Sequence, residues 1–278
     1  MTLSPFGHDD LDAAAALSRA EGWPHTRNDW SLLASVAEGV AIRDGRALKG
    51  TALWVPYGPR VASVCMVMVD PSVRRRGLGR RLMDRVLADT AGRSLRLVAT
   101  PSGQPLYQAL GFEESGRVHK LEGAPSLAAL GPRNGVVLAR ESDMPAILAL
   151  DAAAYGADRG RLLAALMDAG DAMILRDPFV TGYAVRRPFG PGVVIGPVVA
   201  PSLAAAKRLI AAQAAKVRDA PVRVDTPDAA LRDWLKGCGL THTTSEALMV
   251  RHDPAAPEAY RSYGRGAVTF ALAAQAFG

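Results

Sequence analysis

Nine consecutive residues, Val61 to Val69, are apolar or small, and Asp70-Pro71 ends the run. Proline cannot donate to a ladder and restricts the residue before it, so a short apolar stretch closed this way predicts a buried strand. After Gly77 the period changes. Leu78, Leu82 and Val86 recur every four residues with Met83 and Leu87 beside them, the buried face of an amphipathic helix. The central unit is therefore strand, glycine-containing loop, helix. Upstream, Asp9-Asp10 predicts the start of a helix through Leu11, Ala14 and Leu17, broken at Trp23-Pro24. Asn28-Asp29 predicts the start of a second, carrying Trp30, Leu33 and Val36. Residues 39–44 and 47–55 read as strands joined at Asp44-Gly45, a hairpin turn signal. Downstream, residues 95–99 read as a strand and 106–110 as a short helix ended by Gly111. Residues 112–121 read as a further strand, and 123–134, rich in Gly, Pro and Ala, as a linker.

The pattern then repeats. Asp10 and Leu17 line up with Asp143 and Leu150, Val69-Asp70-Pro71-Ser72 with Val199-Ala200-Pro201-Ser202, and Val98-Ala99-Thr100-Pro101 with Val224-Asp225-Thr226-Pro227. Ala109-Leu110-Gly111-Phe112 lines up with Gly237-Cys238-Gly239-Leu240. These matches keep one order at nearly constant offset, which predicts two copies of one domain, residues 1–130 and 131–278. The copies differ in the loop: PSVRRRGLGRRLM in the first, PSLAAAKRLI in the second. Helix-favouring alanines replace arginines and glycines there, and Leu235 stands where the first copy has Tyr107.

Composition narrows the class. The 278 residues are 49% hydrophobic and 22% charged, a globular balance. The net charge of +6 is spread along the chain apart from the one arginine cluster, and no basic stretch is interleaved with aromatics, so nucleic acid is not expected as a partner. Cys65 and Cys238, both in apolar surroundings, are expected as reduced thiols of a cytoplasmic protein. No signal peptide or membrane span is expected. Histidines at ligand spacing are missing from both cysteines, so no metal is expected, and no G-x-S-x-G elbow occurs.

The loop Arg74 to Arg81 has a physical use. Free N–H groups at a helix start and the positive dipole end make an anion site. Glycines allow close backbone approach, and arginines add charge-assisted hydrogen bonds. A pyrophosphate site is one reading; a helix start with a solvated basic face is the other. The spacing fits neither a P-loop nor a Rossmann fingerprint.

Arg74-x-x-Gly77-x-Gly79 fits [RQ]-x-x-G-x-[GA], the diagnostic motif of the GNAT superfamily of acyl-CoA-dependent N-acyltransferases. Tyr107-Gln108-Ala109-Leu110-Gly111-Phe112 resembles that family's second signature, Y-x-x-x-G-F. The resemblance covers residues 1–122, and the second half resembles a degenerate GNAT domain. It implies an α/β (α+β) fold with a mixed, mostly antiparallel central sheet flanked by helices, duplicated in tandem. Residues 1–130 would hold acetyl-CoA, while residues 131–278, lacking the pyrophosphate loop, would shape the acceptor cleft. The implied activity moves an acetyl group from acetyl-CoA to a primary amine of a small molecule or peptide by direct attack. The alternative is a non-catalytic acyl-CoA-binding regulatory protein. The resemblance assigns the backbone of Met66, Val67, Met68 and Val69 to the pantetheine arm. It assigns Arg74, Arg75, Arg76, Gly77, Leu78, Gly79 and Arg80 to the pyrophosphate, and Tyr107 to the sulfur as general acid.

Those roles suit the chemistry. A thiol titrates near ~8.5 and a tyrosine near ~10, so Tyr107 can return a proton to the leaving thiolate. An oriented strand N–H can stabilise the oxyanion. A primary amine of pKa ~10.4 is mostly protonated at neutral pH, a handicap of roughly 4 kcal/mol. The plainer reading of Tyr107 is a half-buried tyrosine packing the core. On the acceptor side, EGWPHTRNDW offers Trp23, His25, Asp29 and Trp30, with Glu21 nearby. There the plainer reading makes Asn28 and Asp29 helix caps and His25 an exposed loop residue. In the second half, one reading sets Asp151, Tyr155 and Asp158 facing the cleft and the favoured one makes them ordinary helix-end polarity; His119 reads as a strand-face residue and Asp225 as the end of a strand.

Overall fold

The structure, a computed structural model, describes residues 1–253 and 266–278. The first half runs β1 (Thr2–Pro5), α1 (Leu11–Ala20), α2 (Arg27–Val36), β2 (Glu38–Asp44), β3 (Ala47–Tyr57), β4 (Val61–Val69), α3 (Leu78–Asp89), β5 (Ser94–Ala99), α4 (Gln104–Gln108) and β6 (Glu113–Gly123). The second runs β7 (Val136–Leu138), α5 (Met144–Tyr155), α6 (Gly160–Asp168), β8 (Asp171–Asp177), β9 (Phe179–Phe189), β10 (Gly192–Ala200), α7 (Leu203–Ala214), β11 (Val222–Thr226), α8 (Ala229–Gly237) and β12 (Thr241–Arg251). A last strand, β13 (Val268–Ala271), follows. Among the described residues no helix is long and apolar enough to cross a membrane.

Local chemistry moves some boundaries. α2 starts at Arg27 rather than at Asn28-Asp29, because Thr26 takes the cap: its hydroxyl accepts the Asp29 N–H (3.3 Å), and the Asp29 carboxylate accepts the Thr26 N–H (2.7 Å). This reciprocal pair is a capping box, three residues apart. The short α4 begins at Gln104 because Pro105 sits in its first turn, where a missing N–H is not needed. Gly111 and Gly239 end the corresponding helices of the two halves in left-handed conformation, φ 82° and 97°.

The strands form one sheet in the order β1-β2-β3-β4-β5-β12-β6-β11-β10-β9-β8-β7. Neighbours are antiparallel except β4 with β5 and β10 with β11. Read inward from either edge, the two halves give the same order, except that β6 and β12 have exchanged places. Thus β12, from the second half, completes the first half, pairing Ala247 with Ala99 of β5. In return β6 completes the second, pairing Leu121 with Val224 of β11. One face of the sheet is covered by α1, α2, α5 and α6 over a core shared by both halves, with Trp30, Leu53, Ile147 and Tyr183 buried in it. The other face carries α3 and α4 over one cluster and α7 and α8 over another.

Two openings interrupt the sheet. Between β3 and β4 the register shifts, Thr51 opposing Met68 but Leu53 opposing Cys65. The extra residue leaves Met66 at φ 50°, held by the Thr51 hydroxyl donating to its carbonyl at 2.7 Å, an uncommon conformation for a non-glycine. Past this bulge β4 leaves β5, which it meets only through Val61, Ala62 and Ser63. The second half repeats the arrangement: β10 shifts register between Ile195 and Val198 and meets β11 only through Val193 and Val194. There the chain fills its own opening. β13 pairs with Val198, Val199 and Ala200, Leu272 N–H donates to the Asp225 carbonyl (2.8 Å), and the Thr226 hydroxyl donates to the Phe270 carbonyl (2.6 Å). The following residues cross back to the first half, where a 3₁₀ turn, Gln275–Phe277, lies on β4 and β5 and the Tyr57 hydroxyl donates to the Phe277 carbonyl at 2.6 Å.

The insertion depends on Gly196. A Cβ there falls 1.8 Å from the Leu272 carbonyl oxygen, a backbone atom that cannot rotate away. Gly196→Ala is expected to cost about 1–3 kcal/mol through forced displacement and to expose residues 266–278. Urea denaturation with limited proteolysis checks it; unchanged stability and protection would show that the insertion is not tight.

Candidate active site

Asp70 closes β4. Its carboxylate accepts Lys49 Nζ (2.7 Å), the Ser72 hydroxyl (2.6 Å) and the Ser72 N–H (2.8 Å). These bonds, Lys49 first, bring its pKa down to about 2. The chain then turns through Arg75 at φ 60° and Gly77 at φ 74°, both left-handed. Successive N–H groups in such a turn converge on an anion-sized concavity. The first helical bond of α3 runs from Arg81 N–H to the Gly77 carbonyl (3.0 Å), and no side chain caps this helix. The matching helix α7 is closed by its own Ser202, whose hydroxyl accepts Ala205 N–H at 3.2 Å. One helix start offers donors to a ligand; the other satisfies itself. Arg74 is ion-paired with Glu21 and donates to the Val69 carbonyl (3.2 Å), and Arg80 pairs with Asp84 (2.9 Å). Arg75 and Arg76 are exposed and form no salt bridge among the described residues. Leu78 contributes backbone only, its side chain being buried under α3.

A groove of about 510 Å³ runs from this turn past Val69, Gly79 and Leu106 to Tyr107. It meets a second, deeper cavity of about 120 Å³ in the β4–β5 opening, and Trp23, Val67, Thr100 and Tyr107 line both. Tyr107 stands at the junction, 8% exposed and edge-on to Phe112 at 5.9 Å. Burial, with the Cys65 sulfur beside it, pushes the phenol well above its ordinary value. It stays protonated throughout the working range, ready to donate a hydrogen bond. Outright proton release to a thiolate is more uphill than an ordinary tyrosine would make it. Burial likewise pushes the Cys65 thiol up, so Cys65, although it lines the cavity, is a neutral thiol and a poor nucleophile.

On the far side of the cavity the four expected acceptor-side residues separate. Trp23 and His25 line it. His25 is not an exposed loop residue: its ring lies edge-on to Phe189 of β9 at 5.2 Å. Burial first, then the charge of Arg223, lowers its pKa to about 4, so it is neutral at pH 7. Asp29 and Trp30 do not reach the cavity. Asp29 is a cap residue whose carboxylate also accepts the Gly190 N–H (3.2 Å) and pairs with Arg187 (3.5 Å), fastening α2 to the β9–β10 turn. Trp30 is fully buried and donates to the Ser18 hydroxyl at 3.1 Å, a core residue. Asp151 lies in a buried ion pair with Arg159, and His119 is bonded to Ser245 at 2.8 Å. Asp225 lies inside β11, completely buried and held by Arg223.

Two families described as acetyltransferase (GNAT) domains match the chain, one over residues 36–114 and one over residues 147–264. The uncharacterized N-acetyltransferase YitH of Bacillus subtilis strain 168 is 32% identical over 206 residues, 71% of this chain and 72% of that protein. The chain belongs to the GNAT acetyltransferases. Solved structures share the fold. A candidate acetyltransferase from Pyrococcus horikoshii superposes with a TM-score of 0.79 at 19% identity, covering 100% of this chain and 95% of that one. A tandem GNAT protein from the clavulanic acid biosynthesis pathway superposes with a TM-score of 0.62 at 16% identity, covering 90% and 97%.

Sequence reasoning missed most of the GNAT cavity's far wall. Lys120, Phe189, Arg223, Glu246 and residues 274–276 all line it. They come from β6, β9, β11, β12 and the end of the chain, far apart in sequence. The one local hint was Glu246, a lone acid inside SEALMV.

Proposed function

We propose that this enzyme transfers an acetyl group from acetyl-CoA to a primary amine of a small molecule or peptide, using the first GNAT copy. The observation that carries the reading is the junction at Tyr107. There a groove starting at an uncapped, left-handed glycine turn meets an opening in the sheet. Pyrophosphate fits the N–H groups of Leu78, Gly79 and Arg80. The free edge of β4 from Met66 to Val69 fits the amides of a pantetheine arm as an added strand. Met66, in left-handed conformation, lines the opening, and a backbone N–H of this bulge suits the oxygen on which a thioester develops charge. Tyr107 then donates to the leaving sulfur. The second copy lacks both features, since Ser202 closes its helix and β13 fills its opening. Two unpaired cysteines fit a reducing, cytoplasmic location.

The test is coenzyme A release from acetyl-CoA against a panel of primary amines. Release is expected with some of them, and Tyr107→Phe is expected to lower kcat about 100-fold with coenzyme A affinity unchanged. Because the phenol titrates above its ordinary value, the wild-type rate should show no alkaline fall from Tyr107 below pH ~10. Intact coenzyme A binding with no release for any amine would favour the non-catalytic alternative.

A further inference from the structure

Glu246 lies in the middle of β12, the strand that the second half contributes beside β5. It faces Val118 of β6, and its neighbour Ala247 pairs with Ala99 of β5. Side chains alternate along a strand, so Ala247 and Met249 share one face while Thr244, Glu246 and Leu248 share the other. Ala247 and Met249 pack in the cluster that contains Tyr107. Glu246 therefore leaves the sheet on the face opposite Tyr107, yet both line the same cavity. A thioester held in the opening would have a phenol on one side and a carboxylate on the other.

The charges around the cavity are otherwise matched. Lys120 pairs with Glu122 (3.4 Å) and Arg223 with Asp225 (2.9 Å). Glu246 is the one acid among the lining residues, and no salt bridge holds it among the described residues. The groups that face it are Asp225 and Arg223 on β11, Lys120 on β6 and Thr244 on its own strand. Burial and then Asp225 push its carboxyl up from the ordinary value, while Lys120, Arg223 and the Thr244 hydrogen bond pull it down. His25 brings no charge at neutral pH, and its Nδ1 and Gln275 Nε2 are buried without a hydrogen-bond partner.

We propose that Glu246 receives the ammonium group of the acceptor and takes one of its protons, so that the second half of the chain supplies the base for the first half's site. The proposal rests on the acetyltransferase reading above. The acceptor class is a cationic primary amine on a compact body that fits the cavity walled by Trp23, His25 and Phe189. The ammonium gives one proton to the Glu246 carboxylate, which passes it to water. The freed nitrogen pair forms the C–N bond as the C–S bond breaks, and sulfur keeps the electron pair. Tyr107 donates its proton to that sulfur, and the second proton of the nitrogen restores the phenol. The sum is ammonium plus thioester giving amide, thiol and one proton.

Two coenzyme A analogues test this without knowledge of the natural acceptor. S-(2-aminoethyl)-coenzyme A carries an ammonium close to where the attacking nitrogen would lie; S-propyl-coenzyme A is its neutral counterpart. By calorimetry the wild type is expected to prefer the ammonium analogue roughly 10-fold, and the preference should fade as the pH is lowered through the Glu246 titration. In Glu246→Gln the preference should vanish while affinity for the propyl analogue, which reports an intact site, is kept. Equal wild-type affinities, or a preference that survives in Glu246→Gln, would overturn the proposal and leave the cofactor reading standing. If the wild type binds neither analogue, the cofactor reading falls and the proposal with it.

Discussion

Gly77→Glu is expected to weaken coenzyme A binding by about 100-fold or more while the protein stays folded. Gly77 precedes the first residue of α3 at φ 74°, and a Cβ built on it meets nothing within 4 Å. The steric part is therefore confined to backbone strain of about 1–2 kcal/mol for an L-residue in this region. The carboxylate is the larger effect. It can fold back onto the free N–H groups of the turn and also repels the pyrophosphate. Gly77→Ala separates the two, because it carries the same strain and no charge. Calorimetry with coenzyme A and thermal melts on both variants decide the matter: Ala should bind nearly as the wild type does, Glu should not. Equal binding by the two would remove the anion site from this turn.

Asp151→Ala is expected to destabilise the fold by about 3–5 kcal/mol. Asp151 accepts Arg159 Nε at 2.9 Å and Nη2 at 2.5 Å, and the Tyr183 hydroxyl also donates to it. Asp151 and Arg159 are each 1% exposed and Tyr183 not at all. The guanidinium lies over the Tyr155 ring, 4.0 Å from its centroid. Removing the carboxylate strands a buried cation among apolar neighbours, which costs far more than the pair contributes. Asp151→Leu with Arg159→Met removes both charges and should recover much of the loss. Urea denaturation gives the stabilities. Coenzyme A affinity of folded Asp151→Ala should match the wild type, as none of Asp151, Arg159, Tyr155 and Tyr183 lines the cavity; a selective loss of binding with unchanged stability would return Asp151 to the cleft.

The two substitutions differ in how far the sequence foreshadows them. Gly77 stands out because its neighbours in the chain are its neighbours in space: an apolar strand, a turn and a helical stripe each follow a period that a few residues express. The same holds for Tyr107, four residues before Gly111. Asp151 offers no such signal. Its partners are Arg159, at the cap position before the next helix, and Tyr183 on a strand, and a polar residue in a helix looks the same in the sequence whether it is solvated or buried. Trp30 and Asp29 misled for a related reason. Both stand in the segment beside the cavity, but helical spacing turns Trp30 inward and the capping box consumes Asp29.

The sequence by itself determined the strand-turn-helix units, the duplication, and which of the two copies keeps the glycine turn before its helix. These are local facts, set by periodicity, by glycine's access to positive φ and by capping chemistry. Tertiary structure alone decided that β6 and β12 exchange places, that β13 seals the second opening, and that Glu246, Arg223 and the end of the chain wall the first. A backbone ladder is nearly blind to side-chain identity, so an alternating strand such as β12 carries the same pattern beside either half. Its partner is chosen by how the whole chain closes around the shared core.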